Sequence, residues 1–289
     1  MNILGLGDWW LRKTGRARLR ESERVLICNE ALLKKKHLLV GITRVRNESL
    51  ILRDTLDHLG TQVDAIVAYD DASTDETLEI LQNHPKVAIV IANSRWEGDV
   101  AARPSTETRD RELALQVARS RLNFEWALCF DADERLVGNI REFLGSPSAA
   151  QCDGIRVQLF DAYMTPDDHA PFLPGQSLLG SRKFFGPERR DILMLWRNSP
   201  RVHFEGQIAR EPTGIDRIVT DFHCQHYGKA ISLAQWEETC DYYIKYFPFE
   251  TYGQKWLARK GQAIHTQSDF SRPLFEWGEV LFSNAVVIH

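Results

Sequence analysis

Four short apolar runs, residues 38–43, 65–70, 87–92 and 126–131, constrain the first half of this chain more than any other feature. Each is nearly continuous and does not alternate with polar residues. A strand reads this way when both of its faces are buried, as in a parallel sheet covered by helices on each side. Stretches with helical character lie between the runs, at 48–59, 75–82 and 106–122. The alternation predicts a doubly wound α/β unit over residues 37–145.

The second half, residues 146–289, reads differently. Shorter strands are expected at 154–162, 192–197, 202–208 and 218–226, separated by Pro- and Gly-rich loops such as 165–186. A helix is predicted over 232–247. It opens with a capping box, Ser232-x-x-Gln235, and stops before Pro248. The tail from Gly253 has helical character. The expected whole is one continuous domain, with a mostly parallel first half and a mixed second half.

Composition narrows the function classes. Of 289 residues, 43% are hydrophobic and 26% charged, an ordinary globular balance. No apolar run approaches the ~20 residues that a membrane-spanning helix requires. The opening residues, broken at Asp8, do not read as a secretory signal. Five cysteines (28, 129, 152, 224, 240) are odd in number and form no close pair, which favours a reducing cytoplasm over a disulfide framework. Residues 1–36 hold nine Lys or Arg against four acids, a surplus of +5 in a chain of net charge -4. Residues 1–36 are expected to form a basic N-terminal arm whose stretch 4–20, with Trp9, Trp10 and Leu11 beside Arg12, Lys13, Arg16, Arg18 and Arg20, rests on an anionic membrane surface. The acidic remainder would be repelled by phosphate, so nucleic acid is not an expected partner.

In an open parallel sheet, ligands bind beyond the carboxyl ends of the strands. Three polar clusters stand there: Thr43-Arg44-Val45-Arg46-Asn47-Glu48, Asp70-Asp71-Ala72-Ser73-Thr74-Asp75 and Asp131-Ala132-Asp133-Glu134. Two carboxylates two residues apart, just past a strand, can face one hard cation such as Mg²⁺ or Mn²⁺, which shares its shell with substrate phosphates. A calcium loop is a poor alternative, because Arg135 and Leu136 stand where it needs an oxygen ligand and a glycine. Ser73 to Glu76 reads as a capping box. Capping does not account for Asp70 and Asp71, which suit a nucleobase N–H or ribose hydroxyls.

Together these segments resemble family 2 glycosyltransferases of the GT-A fold. Asp70–Thr77 is similar to that family's Asp-Asp-x-Ser-x-Asp-x-Thr signature. Thr43 with Asn47-Glu48 resembles its opening strand, and Asp131-Ala132-Asp133-Glu134 its D-x-D in the lipopolysaccharide-type branch. Arg111 to Ala118 resembles the arginine-bearing helix before the D-x-D. The resemblance spans residues 38–136. It implies a GT-A-like fold whose second half forms the acceptor side. It also implies Mn²⁺ or Mg²⁺, a nucleotide-diphosphate sugar donor (a UDP-sugar favoured) and inverting transfer to a glycan or lipid-linked acceptor. The implied setting is surface-glycan or lipopolysaccharide assembly, in the cytoplasm or peripheral at the inner membrane face.

By the same resemblance, Thr43, Asn47 and Glu48 frame the base or ribose, and Asp71 with Asp70 contacts the nucleoside. Arg111, with Arg109 as rival, approaches the diphosphate; Asp131 and Asp133 take the ribose and the metal. A late histidine completes the metal shell: His226 is preferred over His223 and His203. The base is expected at Glu188 or Asp191, with Glu205 and Glu211 as alternatives. Two rivals remain. A sugar nucleotidyltransferase would need a glycine-rich loop after the first strand, where this chain has Arg44-Val45-Arg46-Asn47-Glu48. A metal-dependent sugar-binding module would not need nucleoside-type acids and a D-x-D on one sheet edge.

Overall fold

The computed structural model describes residues 17–207 and 209–288. The first half folds as the apolar runs predict. Strands β2 (Lys36–Val45), β3 (Ala65–Asp71), β4 (Val87–Asn93) and β5 (Asn123–Phe130) lie in the order β4-β3-β2-β5, all parallel. Alternate residues serve opposite faces. Leu39, Ile66 and Leu128 join one core with Ile51, Leu52 and Leu56 of the helix Ser49–Gly60. Val40, Val67 and Cys129 join the other with Leu113, Val117 and Ala118 of the helix Arg103–Arg121. Burial on both faces is why the strands carry no polar alternation.

Residues 17–36 are part of this body. Strand β1 (Glu23–Ile27) adds antiparallel to β4, and Ala17 and Leu19 are buried. Buried Glu23 accepts from Tyr69 and is ion-paired with Arg109, which fastens β1 to the sheet. Residues 4–16, the greater part of the expected membrane-resting arm, lie outside the described residues.

The second half continues the sheet with mixed directions. Strands β6 (Glu134–Val137), β7 (Gly154–Tyr163), β8 (Phe184–Arg197) and β9 (Ile218–His226) extend it as β5-β8-β7-β9-β6. Two short strands, β10 (Phe275–Glu276) and β11 (Val286–Val287), pair with the start of β8. The fold is thus mixed α/β around a parallel centre, as expected, with departures: β1 lies in the stretch expected as an arm, and the tail from Gly253, expected to be helical, holds β10 and β11 beside two short helices. Strand β8 starts eight residues before the predicted 192, because Gly186-Pro187 is accommodated in a register shift against β7, where Arg189 opposes Phe160 and Phe185 opposes Ala162. The predicted strand at 202–208 is reduced to one bridge, His203 with Thr213. Strand β6 was not foreseen, since its four residues carry no periodicity. The late helix is Leu233–Tyr246, with the Ser232 hydroxyl accepting from the Gln235 N–H as its cap. Among the described residues no helix is long and apolar enough to cross a membrane.

Candidate active site

The ends of β2 and β3 are laced together by side chain to backbone bonds. The Asn47 N–H donates to the Ser73 hydroxyl (3.0 Å), and the Asn47 side-chain Oδ1 accepts from the Thr74 N–H (2.8 Å). Thr77 accepts from the Glu48 N–H, and Asp75 from the Ser49 N–H. Asn47 and Ala72 each adopt φ of 54°, a left-handed conformation that a non-glycine residue holds only where its surroundings require it. Ser73 therefore joins two strand ends rather than capping a helix; the helix Thr77–Asn83 starts later, with Asp75 accepting from the Thr77 N–H. Asn47, expected at the base or ribose, spends its side chain in this lacing.

Asp71 is fully buried between two guanidinium groups, Arg44 at 2.5 Å and Arg103 at 2.7 Å. Arg44 also lies 3.6 Å from both Glu107 and Asp110. Arg46 bonds the Asp71 and Ala72 carbonyls and stacks 4.3 Å over Trp96. Asp71, expected against the nucleoside, is instead the anion that gathers these arginines. Asp70 is the more available partner in character. Its Oδ2 accepts from the Ser73 N–H at 3.4 Å, and its buried Oδ1 has no hydrogen-bond partner. The buried Thr43 hydroxyl is likewise unpartnered. Arg109, the rival to Arg111, is committed to Glu23 and Asp110.

The D-x-D divides into two environments. Asp131 is clamped by Arg111 (3.2 Å) and Arg210 (3.1 Å), while Glu134 accepts from its N–H and pairs with Arg210 at 2.7 Å. Burial would raise the Asp131 carboxyl, but Arg210 and then Arg111 hold it below the usual carboxylate range. Asp133 faces His226, whose Nε2 is 3.2 Å from its carboxylate. That meeting is set by strand register: β6 pairs Glu134 with His226, and β7 pairs Asp161 with His226. Asp161 accepts from His226 Nδ1 at 2.6 Å and pairs with Arg190 (2.5 Å) and Lys229 (3.0 Å). Gly228 closes the corner; a Cβ there would lie 2.7 Å from the Asp133 carboxylate.

This corner fits a hard cation. The Glu48 carboxyl is pushed well above its ordinary range by burial, then by Asp133, Asp131 and Asp75. Such a gathering of carboxylates is relieved by positive charge. Among the described residues no three His, Cys, Asp or Glu side chains enclose a metal by themselves. A cation held by one or two protein groups and completed by substrate phosphates needs no such cage. Asp133 and His226 are the convergent pair, with Asp131 beside them. Without a metal, burial would lower the His226 pKa, but Asp133 and then Asp161 hold it up at about 10. The imidazole is then a cation between two carboxylates, and binding a metal there releases its proton.

The expected bases lie elsewhere. Arg190 reaches Asp161, so its neighbour Asp191 projects from the other face of β8, where Arg189 holds it at 2.7 Å. Glu188 is buried, accepts from the Ser268 hydroxyl at 2.9 Å and touches neither Asp131 nor Asp133. Glu211 pairs with Arg156, and Glu205 with His203. Of the rival histidines, His223 stacks on Phe282 at 4.0 Å, and His203 bonds Glu205 and the Arg201 carbonyl. Sequence reasoning missed Asp161, Arg190, Arg210 and Lys229. None stands in a recognisable motif, and only the register of β7, β8 and β9 draws Asp161, Arg190 and Lys229 together. Arg210 comes from an irregular loop that carries no signal at all.

Comparison with known proteins supports the first half of this picture. Residues 42–136 match the family model described as Glycosyl transferase family 2. That segment holds β2 to β5, the laced strand ends and the D-x-D. Two curated relatives, uncharacterized proteins of Mycobacterium tuberculosis (strain ATCC 25618 / H37Rv) and Mycobacterium bovis, are each 36% identical over 97 residues. The aligned stretch is 33% of this chain and 23% of each relative, so the chain spans about a quarter of their length. Among solved structures, glucosyl-3-phosphoglycerate synthase from Mycobacterium tuberculosis, in complex with Mn²⁺, UDP and glucosyl-3-phosphoglycerate, is 13% identical. It covers 43% of this chain and 44% of its own at a TM-score of 0.29. HddC from Yersinia pseudotuberculosis is 12% identical, covering 71% and 98% at a TM-score of 0.34.

Proposed function

We propose that this chain, with its family 2 glycosyltransferase segment at residues 42–136, moves a sugar from a nucleotide-diphosphate sugar to an acceptor hydroxyl. The observation that carries the reading is the corner where Asp133 and His226 stand 3.2 Å apart, beside Asp131, at the carboxyl ends of the parallel strands. A UDP-sugar donor, a glycan or lipid-linked acceptor and a role in surface-glycan assembly at the inner membrane face complete the proposal.

The chain's own groups divide the work. Asp70 and Thr43, each with a buried polar oxygen lacking a partner, offer hydrogen bonds to the nucleoside. Asp133 and His226, with Asp131, would hold Mn²⁺ or Mg²⁺, which when bound would supply Lewis-acid stabilisation of the leaving diphosphate. Arg111 and Arg210 neutralise Asp131 before the donor arrives and are placed to turn to phosphate oxygens, which a guanidinium grips with two bonds. Charge on the leaving group is thereby met by groups already in position. Asp161 orients the His226 ring through Nδ1 and leaves Nε2 facing Asp133. The acceptor oxygen displaces the nucleoside diphosphate in line: the new C–O bond forms as the anomeric bond to the diphosphate breaks, the hydroxyl proton passes to solvent, and the anomeric centre inverts.

A donor-hydrolysis screen over UDP-, GDP-, dTDP- and CMP-sugars, with and without Mn²⁺, tests the proposal. Nucleoside diphosphate released from one donor class, and suppressed by EDTA, is the expected result. No hydrolysis or binding of any nucleotide sugar at millimolar concentration would sink it.

A further inference from the structure

Beyond Asp161 the structure carries a second group of charges that the transfer chemistry leaves unused. Lys229, largely buried, bonds Asp161 (3.0 Å), Asp269 (2.7 Å) and the Tyr163 hydroxyl (3.2 Å). Arg259 shares Asp269 at 2.7 Å, and Arg190 shares Asp161 at 2.5 Å. Lys255 lies four residues before Arg259 on the helix Gln254–Arg259, and therefore on the same face. It is exposed and makes no hydrogen bond or ion pair among the described residues. Although the residue is exposed, partial desolvation of its ammonium beside the protein and then Arg259 push it below the ordinary lysine range, with Lys229 and Arg190 adding to the effect and Asp269 opposing it. Four cations thus surround two carboxylates. Trp256, next to Lys255, stacks on Tyr243 at 4.5 Å and 4°, with the Arg259 guanidinium 5.4 Å above its ring.

A surplus of two positive charges beside an aromatic pair is not how a neutral hydroxyl is bound. We propose that Lys255, Arg259, Lys229 and Arg190 seat an anionic substituent of the acceptor, a phosphate or carboxylate carried on a sugar, with the sugar ring beside His226 and Asp133. The inference rests on the reading of this chain as a glycosyltransferase. Lys255 is the free donor of the set; the other three hold the frame through Asp161 and Asp269.

The test titrates glucose 6-phosphate, glucuronate and glucose into the full chain by calorimetry, both alone and with UDP and Mn²⁺ present. UDP with Mn²⁺ is titrated separately. At least one anionic sugar is expected to bind in the millimolar range, with glucose silent. The tighter of the two anions identifies phosphate or carboxylate as the preferred charge. Lys255→Ala should weaken that binding about tenfold, the size of one charge-assisted hydrogen bond, and Lys255→Glu should abolish it. UDP affinity should not move in either variant, and Lys260→Ala, on the same helix margin, should behave as wild type. Equal affinity for glucose, wild-type binding in both Lys255 variants, no binding of either anionic sugar, or displacement of the anionic sugar by UDP would each overturn the proposal. Loss of UDP binding in the wild type, by contrast, counts against the glycosyltransferase reading and leaves the anion result to be judged from the titration without UDP.

Discussion

The two halves of this molecule build their share of the site in opposite ways. In residues 36–137 the functional groups come in consecutive clusters, each placed by the end of one buried parallel strand. In residues 154–229 they come singly: Asp161 from β7, Arg190 from β8, His226 from β9, Lys229 from the turn that follows. The first arrangement is held by buried ion pairs, with Asp71 between Arg44 and Arg103. The second is assembled by strand register, which brings Asp161, Arg190 and His226 together from three strands. On the proposed reading, the first half presents the donor groups and the second half the acceptor groups.

The contrast can be broken by removing one guanidinium from the first half. Arg103→Met leaves fully buried Asp71 short of a partner, and stripping one member from a buried pair costs about 3–5 kcal/mol. Urea denaturation should show that loss. A variant as stable as wild type would mean that Asp71 is not held by this pair.

The D-x-D should respond in activity rather than stability. Asp133→Ala is expected to lower metal-dependent donor hydrolysis more than about 100-fold, beyond the range seen for groups that only support a ligand. The melting temperature should fall only slightly, because the Asp133–His226 pair is partly exposed and His226 keeps Asp161 as a partner. Activity that survives both this change and EDTA would remove the metal from the proposal.

A smaller effect is expected across the seam between the halves. His226→Ala should raise the Mn²⁺ requirement about tenfold, as Asp133 loses its convergent neighbour. A calorimetric titration of Mn²⁺ in the presence of UDP reads this directly. An unchanged requirement would return His226 to a purely structural place between Asp133 and Asp161.

The smallest effect sharpens the comparison. Asp191 projects from the far face of β8, so Asp191→Asn should change stability by no more than about 0.5 kcal/mol and leave transfer intact. A large loss of turnover in that variant would show that the face assignment of β8 is wrong.

Legibility in the sequence followed the same division. The four parallel strands were readable because burial on both faces forces unbroken apolar runs, and their ends were readable because a doubly wound sheet places ligands there. The roles within those ends were less readable. Asp71 looks like a ligand group in sequence, yet Arg44 and Arg103, one next to it across the sheet and one 32 residues later, enclose it. Ser73 looks like a helix cap and instead ties β3 to β2. Glu188 and Asp191 were placed near the site by sequence order alone, and the alternation of an unforeseen stretch of strand turned Asp191 away.

The sequence by itself determined the sheet, its helices and the edge where the site forms, because hydrophobic periodicity and strand-end chemistry are local signals. Only the tertiary structure decided which carboxylate is clamped and which is open. Asp131 and Asp133 differ by two positions in the chain, but one meets Arg111 and Arg210 and the other meets His226. Those partners arrive from 20 to more than 90 residues away, through a helix face, a loop and the pairing of β6 with β9. Register between distant strands is fixed by the packing of the whole sheet, and no local pattern of residues records it.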